Sequence, residues 1–304
     1  MRIIIVGQGP FGEKVCERLI NKGEKVVGIF TPPGGRGDPL EKVAKEYNIP
    51  CFRVPNMKEA WIEEEFKKLT PDLVILAFVT DILPERLLSI PNIGTICYHP
   101  SILPRHRGAS AINWALIMGE EKTGLTIFWV EKGIDTGPIL LQKEVEILPT
   151  DTAGSLYFSK LFPMGIEAIE EAVELIKAGK APRIPQDDSL ATYEPPCDDK
   201  VAGIKFNKSL DEIYNLIRGC DPQPGAYAFY KGKKIRFYGV QKITSFHDHP
   251  PGKIIEIDES GLTITVKGGF IKVSKFRIDK GEKIGALQLR EILELKEGDQ
   301  LEEA

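Results

Sequence analysis

The first hundred residues alternate short apolar runs with amphipathic segments, and this alternation constrains the fold more than any other feature. Arg2-Ile3-Ile4-Ile5-Val6 is a β-branched run that ends in a glycine-rich turn, and Gly12 to Lys22 then carries a helical period. Lys25 to Thr31 reads as a second strand and Pro39 to Tyr47 as a second helix. Asp72 to Val79 and Gly94 to Tyr98 follow as a third and a fourth strand. Strands with helices between them need crossover connections, which predicts an α/β fold: a Rossmann-like parallel sheet with helices on both faces. Leu125 to Trp129 and Ile139 to Val145 read as later strands. Thr152 to Ala178 reads as one long helix, interrupted at Pro163 and Gly165.

After Ala181 the pattern changes. Pro182, Pro185, Pro195 and Pro196 fall among Asp, Ser and Gln, the composition of a linker. Beyond it, Leu210 to Arg218 reads as a short helix. Short strands then follow at Gly225–Tyr230, Lys234–Tyr238, Lys253–Ile257, Leu262–Val266 and Phe270–Phe276, a spacing that suggests a small β-barrel. The expected division is a catalytic domain over 1–181, a linker over 182–203 and a smaller, OB-like barrel domain over 204–304.

Length and composition narrow the functional classes. A chain of 304 residues suffices for two cores, and no apolar run is long enough for a membrane span. The N-terminal run is too short for a signal peptide and reads as a buried strand. The cysteines (Cys16, Cys51, Cys97, Cys197 and Cys220) are scattered, with no CxxC. They suit a reducing cytoplasm and no metal site. Residues 205–304 hold 17 Lys and Arg against 15 Asp and Glu, a balance of +2, and residues 1–204 hold 23 against 29, a balance of −6. Neither half advertises binding to DNA or RNA.

Gly7-Gln8-Gly9-Pro10-Phe11-Gly12 matches the G-x-G-x-x-G pattern of dinucleotide sites. That fingerprint also calls for an acid at the end of the second strand, where this chain has Thr31-Pro32-Pro33. Arg36 leaves NADP, and with it an NAD(P) oxidoreductase, as a remote alternative. Plain turn geometry accounts for the glycines.

The chemistry concentrates elsewhere. His99 ends the fourth strand and enters Pro100-Ser101-Ile102-Leu103-Pro104-Arg105, and Asp135 follows 36 residues later between Gly133 and Gly137. A lone histidine under a loop would read as structural, and a lone Asp as a turn stabiliser. Together they equip a site for acyl-group chemistry, with an imidazole to polarise a carbonyl and a carboxylate to move protons. Arg105, His106 and Arg107 place positive charge beside them. Cys97, in an apolar strand, reads as a small buried residue before it reads as a nucleophile.

These residues carry a family resemblance. His99-Pro100-Ser101-Ile102-Leu103-Pro104 resembles the His-x-Ser-Leu-Leu-Pro signature of the folate-dependent formyltransferases, and Asp135-Thr136-Gly137 resembles their Asp-Thr-Gly loop. Ile217-Arg218-Gly219 with Pro224-Gly225-Ala226 is similar to the start of their C-terminal barrel. The resemblance is closest to the hydrolase domain of the 10-formyltetrahydrofolate dehydrogenases, through Tyr98-His99-Pro100, Arg105 to Trp114, Ile127-Phe128-Trp129 and Asp38-Pro39-Leu40. It extends also to the methionyl-tRNA formyltransferases, which have Asn where this chain has Cys97.

The resemblance implies an enzyme that removes or transfers the formyl group of 10-formyltetrahydrofolate, without metal, to water, a carrier protein or initiator Met-tRNA. It implies His99 and Asp135 as catalytic residues. It further implies a folate site formed by Ile82, Leu83, Pro84, Leu103, Arg105, Arg107, Gly133 and Ile134, with Cys97 facing the formyl group.

Overall fold

The computed structural model describes residues 1–304. The chain divides into two compact units, one of residues 1–109, 124–145 and 159–194, the other of 110–123, 146–158 and 195–304.

In the first unit the chain alternates as the pattern requires: β1 (Arg2–Gly7), α1 (Gly9–Asn21), β2 (Lys25–Thr31), α2 (Asp38–Glu46), β3 (Cys51–Arg53), α3 (Trp61–Leu69), β4 (Leu73–Ala77), α4 (Glu85–Leu88) and β5 (Gly94–His99). α5 (Ala111–Ile117) lies in the second unit. β6 (Lys122–Trp129) and β7 (Ile139–Glu146) then complete a seven-stranded sheet of order β3-β2-β1-β4-β5-β6-β7. The pairs among β1 to β5 are parallel, and β6 runs antiparallel to β5.

Side chains alternate across a strand, so one run feeds two cores. Ile3 and Ile5 of β1, with Leu73 and Ile75 of β4, join one cluster with Phe11, Val15 and Leu19 of α1. Ile4 and Val6, with Val74 and Leu76, join another with Ile62 and Phe66 of α3. Each fully buried side chain of this size contributes about 2 kcal/mol of hydrophobic stabilisation. Between β1 and β4 the direction of chain progression reverses, and the strand ends on that side open toward the loops.

Several elements go beyond the sequence reading, β3, α3, α4 and α5 among them. β3 is a three-residue, half-buried edge strand, too short to show a period, and α3 carries its apolar stripe on Ile62, Phe66 and Leu69. The long helix expected over 152–178 is divided into α6 (Ala153–Leu156), a π-helical turn over Tyr157–Leu161, and α7 (Phe162–Lys177). Pro163 is the second residue of α7, which follows the π-helical turn directly, so the ladder is irregular where proline removes an N–H.

The second unit contains α8 (Leu210–Gly219), entered through a capping box in which Ser209 Oγ accepts the Glu212 N–H and the Glu212 carboxylate accepts the Ser209 N–H. Its antiparallel sheet has order β10-β11-β12-β9-β8, formed by β8 (Ala226–Tyr230), β9 (Lys233–Thr244), β10 (Ile254–Asp258), β11 (Gly261–Val266) and β12 (Gly269–Ile278). α9 (Ala286–Leu293) follows. The chain end then runs between the two edge strands. Phe229 exchanges backbone hydrogen bonds with Glu302, while Ile254 N–H donates to Asp299 and Leu301 N–H to Gly252. The tail thereby closes the sheet into a barrel and leaves neither edge bare. No helix is long and apolar enough to cross a membrane.

Candidate active site

β5 delivers His99 at the carboxyl end of the sheet, where it is only 5% exposed. The chain beyond it is tied down as a strap. Ser101 Oγ donates to the Arg105 carbonyl at 2.6 Å. Thr126 Oγ1 donates to the Ser101 carbonyl and accepts the Leu103 N–H, and the Gln142 amide donates to the Leu103 carbonyl. The Leu103–Pro104 peptide is cis, and His106 has a left-handed φ of 55°.

This strap brings the expected pair together. The His106 carbonyl lies 2.7 Å from His99 Nε2. Asp135, also left-handed at φ 55°, places Oδ2 3.5 Å from His99 Nδ1 and accepts the Gly108 N–H on the same oxygen at 2.7 Å. Two backbone groups two residues apart therefore hold both side chains. A carbonyl only accepts, so His99 carries its proton on Nε2, and Nδ1 is the nitrogen turned toward the carboxylate.

A cavity of about 290 Å³ opens at the ends of β4, β5 and β6. Ile82, Leu83, Pro84, Gly133, Ile134, Asp135 and Cys97 all line it, joined by Leu76, Val79, Leu88, Phe128 and Val130. Asp81, Glu85, Glu131 and Lys132 complete the lining, so the wall has an apolar majority with charged groups, Asp135 among them, and suits a ligand with both apolar and polar parts. Burial pushes the Cys97 thiol well above its ordinary pKa, and the Asp135 charge adds to this, so Cys97 meets the cavity as a neutral S–H.

Leu103, Arg105 and Arg107 are placed differently. Leu103 is buried in the strap, and Arg105 is exposed. The Arg107 guanidinium, 3% exposed, donates to Gln186 Oε1, Asp188 Oδ1 and the Tyr193 hydroxyl. None of the three lines the cavity.

The sequence reading missed Gln186, Thr192 and Glu194. They lie in the proline-rich stretch that reads as a linker, and no local period or motif marks them. The stretch up to Glu194 belongs to the first unit and bonds to both site loops. Its Gln186 amide donates to the carbonyls of Asp135 and Gly137, and the Glu194 carboxylate meets His106 Nδ1 at 3.0 Å.

The glycine motif has a packing explanation. A Cβ on Gly7 would stand 2.6 Å from the Ala77 carbonyl, and one on Gly12 would stand 2.9 Å from Leu40. The cavity beside the turn, reaching Thr31 and Arg36, measures about 100 Å³. No group of three or more His, Cys, Asp or Glu side chains converges as metal ligands.

A family model described as formyl transferase matches residues 1–170, and one described as formyl transferase, C-terminal domain, matches residues 198–291. The mitochondrial 10-formyltetrahydrofolate dehydrogenase of Homo sapiens is 43% identical over 307 residues, covering 95% of this chain and 33% of that protein. The chain therefore spans about a third of the length of the dehydrogenases it matches. The methionyl-tRNA formyltransferase of Syntrophus aciditrophicus is 35% identical over 290 residues, 93% of each chain. Among solved structures, HypX from Aquifex aeolicus in complex with tetrahydrofolic acid shares the fold, with a TM-score of 0.72 at 18% identity over 98% of this chain and 48% of that one. With both domain models matched and 43% identity to a relative along nearly its whole length, the chain belongs to the formyltransferase family of enzymes.

Proposed function

We propose that this chain binds 10-formyltetrahydrofolate in the cavity beside Asp135 and transfers its formyl group to water, giving formate and tetrahydrofolate. The observation that carries the hydrolytic reading is Cys97. It lines the cavity where the resembling transferases have an Asn to hold the formyl oxygen. A thiol is a weak donor beside a carboxamide, and one oxyanion contact of this kind is worth on the order of 3 kcal/mol in the transition state. The 43% identity to a 10-formyltetrahydrofolate dehydrogenase supports the same reading.

In this mechanism the pteridine lies against Ile82-Leu83-Pro84 and the Gly133–Asp135 loop. Because Nε2–H is occupied by the His106 carbonyl, His99 acts through Nδ1. Protonated there and balanced by Asp135, it donates to the formyl oxygen as negative charge develops. Asp135 orients the attacking water and takes its proton. It then returns that proton to N10 as the carbon–nitrogen bond breaks.

Formylation of Met-tRNA is the second reading, favoured by the match to a methionyl-tRNA formyltransferase along 93% of both chains. One assay separates the two. The pure protein is mixed with 10-formyltetrahydrofolate, with and without formylatable Met-tRNA, and tetrahydrofolate release is followed. Release without tRNA supports hydrolysis, whereas release only with tRNA, yielding formyl-Met-tRNA, replaces it with the transferase reading.

A further inference from the structure

The segment from Gln186 to Glu194 touches both loops of the site and lies outside the cavity. Gln186 is the more informative contact because its amide can point only one way. Arg107 can only donate, so the atom receiving its Nε and Nη2 at 3.0 and 2.7 Å is the amide oxygen. Carbonyls can only accept, so the group reaching the Asp135 and Gly137 oxygens at 2.8 and 2.7 Å is the NH₂. One side chain thus ties the strap to the loop that carries the carboxylate.

The other end of the segment holds the strap itself. Thr192 Oγ1 accepts the His106 N–H at 2.8 Å, the Thr192 carbonyl accepts the Arg107 N–H at 3.0 Å, and Glu194 meets the buried His106 ring. His106 is the residue whose carbonyl holds His99.

We propose that Gln186 and Glu194 are positioning residues of the reacting pair: Gln186 sets the Asp135 loop, and Glu194 sets the His106 carbonyl that orients His99. The consequence for turnover rests on the formyl-transfer reading, while the consequence for geometry does not. Neither residue lines the cavity, so loss of either changes turnover more than substrate affinity.

The test uses Q186E and E194Q in the full chain. Q186E keeps the volume and the partner for Arg107, but faces the Asp135 and Gly137 carbonyls with a carboxylate in place of a donor. Q186A removes both roles without adding charge and serves in its place if Q186E does not fold. In each variant kcat falls by about 10- to 100-fold while KM for the formyl-folate stays within about threefold, the pattern of misplaced catalytic groups.

A second readout needs no turnover. The chain has four histidines, so nitrogen-15 labelling of histidine resolves His99, assigned by its loss in H99Q. The His99 Nδ1 resonance moves in the Gln186 variants, and the Nε2 resonance moves in E194Q. Unmoved resonances with wild-type kcat overturn the proposal. If the wild-type chain releases no tetrahydrofolate yet the resonances still move, the formyl-transfer reading falls and the positioning role stands.

Discussion

The His106 carbonyl oxygen stands 2.7 Å from His99 Nε2, and this contact decides which nitrogen of His99 can work. It occupies the Nε2 proton with a backbone acceptor and turns Nδ1 toward Asp135. In the proposed reaction His99 therefore works through Nδ1.

Replacement of His99 separates its structural bond from its chemical one. In H99Q the new amide can still donate to the His106 carbonyl, so thermal stability stays close to wild type while tetrahydrofolate release falls on the order of a thousandfold. H99A also leaves that buried carbonyl without its donor and costs about 1–3 kcal/mol of stability. Thermal melts and single-turnover assays on both variants distinguish them. Equal stability of the two would refute the structural part of the argument.

Cys97 sets a second expectation. Its thiol stays protonated and sits 3.4 Å from the Tyr98 carbonyl, so it offers little to a developing oxyanion. C97N adds a carboxamide donor at the cavity wall. The variant folds, and its ratio of formyl transfer to hydrolysis, measured with an amine acceptor, rises by up to about a hundredfold. An unchanged ratio would remove the physical basis for preferring hydrolysis.

The cysteines differ in how firmly they hold their protons. Cys220 Sγ lies 3.7 Å from Cys197 Sγ, and a hydrogen bond between them lowers the Cys197 pKa despite burial while raising that of Cys220. Burial pushes Cys16 up to about 12 and raises Cys51 as well. Brief treatment with iodoacetamide at mildly alkaline pH therefore modifies Cys197 before the other four, as peptide mass spectrometry can read. Earlier labelling of Cys97 would mean that its thiol is neither desolvated nor held neutral by Asp135.

Gly165 has a packing role against Tyr98 and Phe11. A Cβ there would lie 2.6 Å from the Tyr98 ring and 2.9 Å from the Phe11 ring, and those rings are 4.4 Å apart at their centroids. G165A gains helix propensity and loses more to overpacking, for a net destabilisation of about 1–2 kcal/mol. Because Tyr98 precedes His99, kcat falls with it. Denaturant unfolding and turnover on the same preparation check both effects.

The two sheets, the assignment of most strands, and the nomination of His99 and Asp135 were legible in the chain. Their signals are local: a two-residue alternation, a helical period, and a histidine or aspartate set among prolines or glycines. The exceptions were also local in origin. β3 is too short to show a period, and the interruption read at Pro163 and Gly165 takes the form of the π-helical turn just before Pro163.

What only the tertiary structure decided depends on residues far apart in the chain. Gln186 meets a loop 51 residues away, and Glu194 meets a ring 88 residues away. Arg107 reads from the sequence as positive charge beside the pair, yet its donors go to the same distant segment. The tail closing the barrel and the glycine beneath Tyr98 are likewise set by what stands opposite them. Sequence periodicity specifies which face of an element is apolar. The pairing of buried donors with buried acceptors is determined only when folding brings them within hydrogen-bond distance.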